Sequence, residues 1–224
     1  TAVDAAETPE GRVACWAANV TGVAALCRVA TEHRITLVHI SSDYVFDGTR
    51  EEHTEDEPFS PLGVYGQTKA AGDALVGQVP RHYLVRTSWV IGDGRNFVRT
   101  MAELAGTGVS PTVVDDQFGR LTFTSDLAAG IVHLLATQVP SGTYNLSNDG
   151  EARSWCDIAR DVFAQCGRSV EDVTGITTQE YALGKLLAPR PRHSALDLTR
   201  IKATGFVPAE MGERLRAYVA SLRG

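Results

Sequence analysis

Apolar residues recur every three or four positions across residues 10–33, at Val13, Trp16, Val20, Val23, Leu26 and Ala30, which predicts one amphipathic helix with that stripe inward. TLVHISSDYVF (residues 36–46) opens with an unbroken run of apolar and β-branched residues, the pattern of a strand buried on both faces. The charged stretch at residues 47–63 is expected to be a solvated loop, and a helix beginning near Tyr65 runs to about Gln78. HYLVRTSWVIG (82–92) predicts a second buried strand, NFVRTMAELAG (96–106) a helix, and PTVVDDQFGR (111–120) a short strand and loop. Residues 125–138 predict a helix with Leu127, Ile131, Leu134 and Leu135 inward. GTYNLSN reads as a strand, Ser154 as the N-cap of the next helix, and residues 211–222 as the last helix.

Strand and helix alternate, which predicts an α/β fold: a doubly wound, Rossmann-like parallel sheet with a small C-terminal lobe for substrate. Residues 1–140 are expected to form the C-terminal part of the dinucleotide-binding domain, and residues 141–224 mainly the substrate-binding lobe. No strand and no Gly-rich turn precede the first helix, and the glycines of GDG (92–94) follow the wrong strand. The opening strands and the phosphate-cradling turn are therefore expected upstream of Thr1, unless the protein binds no dinucleotide.

Composition narrows the partners. The 224 residues carry a formal charge of -6, so no basic field invites nucleic acid or an anionic membrane. No apolar run approaches the roughly 20 residues of a membrane span. Four cysteines form no CxxC pair and no zinc spacing, six histidines are scattered, and EEHTEDE (51–57) has no second ligand cluster, so no metal is expected. Reduced thiols place the chain in the cytoplasm.

Candidate chemistry centres on Tyr65 and Lys69, one helical turn apart on one face. Ser41 and Ser42 end the preceding strand, at the edge where open α/β sheets bind ligands. Asn19 is a polar residue within an apolar stripe. Reducing a ketone requires a proton at the developing alkoxide and a hydroxyl whose hydrogen bond strengthens as charge grows. Tyr44, two residues past Ser42, is expected on the same strand face but has no lysine one turn on, and reads as a pocket wall.

Asn19, ISSDYVFDG, VYGQTK and VRTSWVIG together resemble the extended short-chain dehydrogenases/reductases. TAVDAAE, HISSDYVFDG, SPLGVYGQTKAAGD, NFVRTM, VVDDQFGR and RPRHSALDLTRI resemble, in order, the dTDP-4-dehydrorhamnose reductases within them. The resemblance implies NAD(P)H-dependent reduction of the C4 ketone of dTDP-4-dehydro-L-rhamnose to dTDP-L-rhamnose, with NADPH or NADH as cofactor. It assigns Ser42 to the carbonyl, Tyr65 as general acid, Lys69 to lowering the pKa of Tyr65 and holding the ribose, and Asn19 to supporting Lys69 through water. Thr1, Ser41 and Ser88 join Tyr65 and Lys69 on the cofactor side. Val3, Asp43, Tyr44, Trp89, Asn96 and Arg190 fall on the substrate side, with Asp4 beside Val3. Asp115, Asp116 and Gln117 order a loop or touch ligand, and Arg190 with Arg192 could grip a diphosphate or form a solvated turn. Asn96 is equally placed to cap its helix, and Trp89 to pack in the core. A homodimer, and a fused or partnering 3,5-epimerase, accompany the same resemblance. The rival readings are another nucleotide-sugar reductase or epimerase, and a non-catalytic regulatory subunit like the methionine adenosyltransferase beta subunit.

Overall fold

The computed structural model describes residues 2–222; the expectation for Thr1 lies outside them. Thr8 caps α1 (Pro9–Trp16), which continues through a π turn (Ala17–Gly22) into α2 (Val23–Glu32). Strand β1 (Leu37–Ser42) leads through a 3-10 turn (Asp43–Val45) and a long loop into α3 (Val64–Val76). Then follow β2 (His82–Thr87), β3 (Val90–Ile91), α4 (Phe97–Thr107), β4 (Thr112–Val114), β5 (Phe118–Gly119) and β6 (Thr122–Phe123). The chain continues with α5 (Thr124–Thr137), β7 (Gly142–Asn145), β8 (Arg153–Ser154) and α6 (Trp155–Gln165). It closes with β9 (Thr174–Ile176), α7 (Thr178–Ala182), α8 (Thr199–Ala203) and α9 (Met211–Ser221).

Three parallel strands in the order β1-β2-β7 form the main sheet, with Ser42 level with Thr87, and Arg86 level with Asn145. Side chains of β2 alternate between two cores, as a strand buried on both faces requires. Leu84 packs with Val23 and Val76 of α2 and α3, while Tyr83 and Val85 pack with Leu127 and Leu134 of α5 and Ile201 of α8. Helices thus cover both faces, the doubly wound α/β arrangement. The largest core joins α4, β4 and β6 to α6 and α9, so residues early and late in the chain share one interior. Ser154 caps α6 through a reciprocal bond with Asp157.

The structure departs from the sequence pattern in five places. The stripe of helix 9–32 faces outward: Val13 is 70% exposed and Leu26 56%, and only Val23 and Ala30 are buried. The inner face is instead Cys15, Asn19, Val23 and Cys27, spaced by four; an α-helix would drift ~40° per such step, and the π turn takes up the drift. By length and composition this 24-residue helix could cross a membrane, contrary to the expectation of no such run, yet its inner face packs on α3. Among the described residues strand β1 pairs only with β2 and is buried only from Ser41 onward, with Ile40 exposed. HYLVRTSWVIG is two strands in different sheets, broken at Trp89, whose φ is 46°. In α5, Leu135 is exposed while Leu127 and Leu134 point inward.

The fifth departure is in the acidic loop, which is only partly solvated: Glu51, Glu52, Thr54 and Asp56 are exposed, but His53 and Glu55 are buried. His53 is fully buried, stacked on Phe46 at 4.7 Å, with Nδ1 3.0 Å from both Glu57 carboxylate oxygens. Glu55 accepts from the Asn145 amide at 2.9 Å, Glu52 pairs with Arg120, and Asp56 with Arg200. The loop's carboxylates meet cations from the second half of the chain, which a linear reading cannot place.

Candidate active site

Burial begins at the C-terminal end of β1, and there the chain turns. Ser42 Oγ accepts from the Tyr44 amide at 3.2 Å, which closes the 3-10 turn, and donates to Asp43 Oδ1 at 3.0 Å. Tyr44 therefore sits in a turn rather than on Ser42's strand face. The first turn of α3 descends directly onto this segment: a Cβ on Gly66 would lie 2.2 Å from the Tyr44 carbonyl oxygen, so only glycine permits the approach. That approach brings the Tyr65 ring edge-on to Tyr44, with centroids 5.5 Å apart. Ser42, Tyr44 and Tyr65 thus converge at one sheet edge.

Burial pushes the Tyr65 phenol above its ordinary value, the Ser42 hydroxyl opposing and the Asp43 carboxyl adding to the rise. Tyr44 is pushed up too, by burial and then by Asp43. Lys69 is buried, one turn beyond Tyr65, and its Nζ donates to the Ile40 carbonyl at 2.7 Å and lies 3.3 Å from His39 Nε2. Burial lowers the Lys69 pKa, with Asp73 opposing, and burial together with Lys69 lowers His39 to about 4. His39 is thereby a neutral acceptor beside the ammonium. The rise at Tyr65 is opposite to the lowering by Lys69 that the resemblance implies: desolvation dominates, and the phenol stays protonated but is a weaker acid than in water.

Further residues brace this edge. Asp73, one more turn along α3, accepts from Arg86 Nε at 3.1 Å, and Arg86 Nη1 donates to the Glu55 carbonyl at 2.9 Å. Asp43 is 2% exposed and burial raises its carboxyl to about 6, with the Ser194 and Ser42 hydroxyls opposing. The Asn19 amide donates to Thr68 Oγ1 at 3.0 Å and to Cys15 Sγ at 3.3 Å, and Thr68 Oγ1 donates to the Tyr65 carbonyl at 2.8 Å. Asn19 thus reaches the tyrosine's helix turn through Thr68. Of these, Asp73 had a readable signal, its spacing of four from Lys69 on one helix face; His39, Arg86 and Thr68 had none.

The other candidates divide. Ser41 Oγ is buried at the end of β1, where it lowers the Asp73 carboxyl by hydrogen bonding, whereas Ser88 Oγ donates to the Arg120 carbonyl at 3.2 Å. Asn96 caps α4 and its amide donates to Gly92, Gly94 and the Tyr218 hydroxyl, so its side chain is fully engaged in local structure. Asp116 caps α7 by accepting from the Thr178 amide and hydroxyl, and Gln117 donates to the same hydroxyl. Asp115 and Arg192 are exposed. Asp4, beside half-buried Val3, takes Arg190 Nη2 at 3.0 Å and the Ala188 amide at 2.9 Å, tying the start of the described chain to the 188–190 segment. Arg190 neighbours Tyr44 and also lines a cavity of about 540 Å³ whose walls include Phe97, Gln117, Trp155 and Tyr181. Among the described residues no group of three His, Cys, Asp or Glu could hold a metal ion.

For a nicotinamide dinucleotide, the residues present suit one end only. Tyr65, Lys69 and the Ser41 hydroxyl, all at the C-terminal end of β1, could receive the ribose and nicotinamide. No Gly-rich turn between strand and helix exists among the described residues to cradle a pyrophosphate.

A family model described as the RmlD substrate binding domain matches residues 1–223. The chain is 38% identical over 185 residues to the spore coat polysaccharide biosynthesis protein SpsK of Bacillus subtilis, covering 81% of this chain and 63% of that protein. It is 35% identical over 235 residues to a dTDP-4-dehydrorhamnose reductase of Aggregatibacter actinomycetemcomitans, covering 97% and 78%. The crystal structure of a dTDP-4-dehydrorhamnose reductase from Bacillus anthracis in complex with NADP superposes with a TM-score of 0.88 at 32% identity, covering 99% of this chain and 77% of that one.

Proposed function

Since the chain belongs to the RmlD substrate-binding domain family, we propose that it carries the proton-delivering half of an NADPH-dependent reductase of dTDP-linked keto sugars. The substrate is dTDP-4-dehydro-L-rhamnose and the product dTDP-L-rhamnose, in keeping with the names of its relatives. The observation that carries this reading is the convergence of Ser42, Tyr65 and Lys69 at one sheet edge, the Ser42 hydroxyl beside the Tyr65 phenol and the Lys69 ammonium on the Ile40 carbonyl of the same strand.

The Ser42 hydroxyl hydrogen-bonds the C4 carbonyl, and Tyr65 Oη releases its proton to that oxygen as it becomes an alkoxide. A bound NADPH supplies the hydride. Lys69 and Tyr65 would hold the ribose end of the cofactor, Lys69 being kept at that edge by the Ile40 carbonyl and His39. Tyr44 and Trp89 wall the sugar, and Arg190 faces the diphosphate, with the nucleotide in the cavity beside Trp155. The sheet-bearing core serves the cofactor and the α4–α6–α9 core the substrate, each drawing residues from both sides of position 140 so that the two interleave. A cytoplasmic location, a homodimer and a 3,5-epimerase partner belong to the same proposal.

The test is NADPH oxidation by the intact protein on addition of dTDP-4-dehydro-L-rhamnose, with dTDP-4-dehydro-6-deoxy-D-glucose as comparison. A rate confined to the first substrate supports the reading; equal rates or none oppose it. A protein of regulatory type would bind NADPH without oxidising it.

A further inference from the structure

Trp89 combines three features that its sequence neighbours do not require. Its backbone is left-handed, with φ of 46°, a conformation that bulky side chains rarely take. Its indole lies almost parallel on that of Trp155, with ring centroids 3.7 Å apart and planes 16° apart. Isolated aromatic pairs prefer offset or edge-to-face arrangements at longer spacing, so this overlap is imposed by what surrounds it. The indole also presses on Gly119, where a Cβ would come within 2.8 Å of Trp89 Cε2. Phe97 closes on Trp155 from another direction at 4.6 Å, and the Trp89 carbonyl accepts from the Thr122 amide at 3.1 Å.

The location gives these features a purpose. Trp89 stands two residues past Thr87, which is level with Ser42, so its backbone lies at the catalytic sheet edge. Trp155 lines the neighbouring cavity. The stacked pair therefore lies between the edge that carries Ser42 and Tyr65 and the cavity assigned above to the nucleotide. We propose that Trp155 and Gly119 are positioning residues for Trp89, forming a rigid two-indole partition that sets the orientation of the sugar ring between nucleotide cavity and catalytic edge. This rests on the reductase reading for its ligand, while the partition itself rests on geometry alone. Strain held in place by flanking groups at a reaction edge is the circumstance in which a backbone outlier points to function. Trp155 opens α6 behind the Ser154 cap, and Gly119 belongs to β5, which pairs with β8 at Ser154 and Arg153, so both supports hang on one short ladder.

The experiment follows the stack and the kinetics together in the intact protein. Two stacked indoles couple their transitions and give a paired positive and negative circular-dichroism signal, to which the distant Trp16 does not contribute. Wild type is expected to show the couplet, W155L to lose it, and W155F to retain the stacked geometry without it. W155L should raise KM for the keto sugar about tenfold, the size of one lost apolar contact, with kcat within about threefold. W155F should return KM to within about threefold of wild type. Gly119→Ala displaces Trp89 while leaving Trp155 itself in place, and should reproduce the KM effect even where W155L fails to fold. A wild type without the couplet, or a W155L or G119A protein with unchanged KM, overturns the proposal. If wild type shows the couplet but no turnover, the reductase reading falls instead. Quenching by dTDP-L-rhamnose then decides: binding weakened about tenfold in G119A supports the partition, and equal binding overturns it.

Discussion

Replacing Asp43 by Asn should change how stability depends on pH more than it changes stability at any one pH. Asp43 is 2% exposed, and burial raises its carboxyl from 3.8 to about 6. A carboxyl with a raised folded pKa binds more protons in the folded than in the unfolded chain between those values. Its contribution is full below about pH 4 and is lost as pH rises through about 6. A shift of about two units corresponds to about 3 kcal/mol at 1.36 kcal/mol per unit. The groups around it are the Ser42 and Ser194 hydroxyls, the buried His53 ring and the Tyr44 phenol. Asn keeps the carbonyl oxygen that accepts from Ser42 Oγ and removes the titration. Urea unfolding followed by far-ultraviolet circular dichroism, at several pH values between about 4 and 7, gives both stabilities. The difference, wild type minus Asp43→Asn, should fall by about 2–3 kcal/mol across that range. Two curves that stay parallel within about 0.5 kcal/mol would refute the reasoning, because the carboxyl would then titrate no higher in the folded than in the unfolded chain.

Other perturbations address the same edge. His39 has its folded pKa depressed to about 4, so its contribution is present above about 6.5 and is lost as pH falls towards 4. His39→Gln should therefore flatten the acid-side loss of stability in the same unfolding series, opposite in sign to Asp43→Asn; an unchanged acid limb contradicts this. Asp73→Asn leaves Arg86 buried without its carboxylate and should cost about 3–5 kcal/mol, read as a lower thermal midpoint. Gly66→Ala forces the Tyr44 and Tyr65 segments apart, costing about 1–3 kcal/mol and lowering kcat; wild-type values in both assays would exclude the close approach.

Local signals in the chain were read well, and long-range ones were not. Alternation of apolar runs and helical stripes located β1, α3, β2, α5 and α6, because each is set by its own periodicity and caps. Helix 9–32 was found, but its face was misassigned. Periodicity ranks residues by size and apolarity, while packing on α3 selected the small Cys15 and the hydrogen-bonding Asn19. The HYLVRTSWVIG run hid a break, since nothing local marks a tryptophan held left-handed by Trp155 and Gly119. Acidity at residues 51–57 marked the exposed part of the loop but not the burial of His53 and Glu55, because Arg120, Arg200 and Asn145 arrive from far along the sequence. At the site, the Tyr65 and Lys69 spacing was legible as a helical turn and Ser42 as a strand end. The neutral His39 beside Lys69 and the Asp73–Arg86 pair depend on burial across elements, which spacing does not encode.

The central claim is that Tyr65 delivers the proton. Its most direct measurement is the rate of reduction of dTDP-4-dehydro-L-rhamnose by the intact Tyr65→Phe protein at saturating NADPH, with circular dichroism to confirm the fold. Removing the phenolic proton while keeping the ring that packs edge-on to Tyr44 should lower kcat by about 10²–10⁴-fold with the fold unchanged. A folded variant that keeps more than about a tenth of the wild-type kcat would contradict the account and take the acid's role from Tyr65.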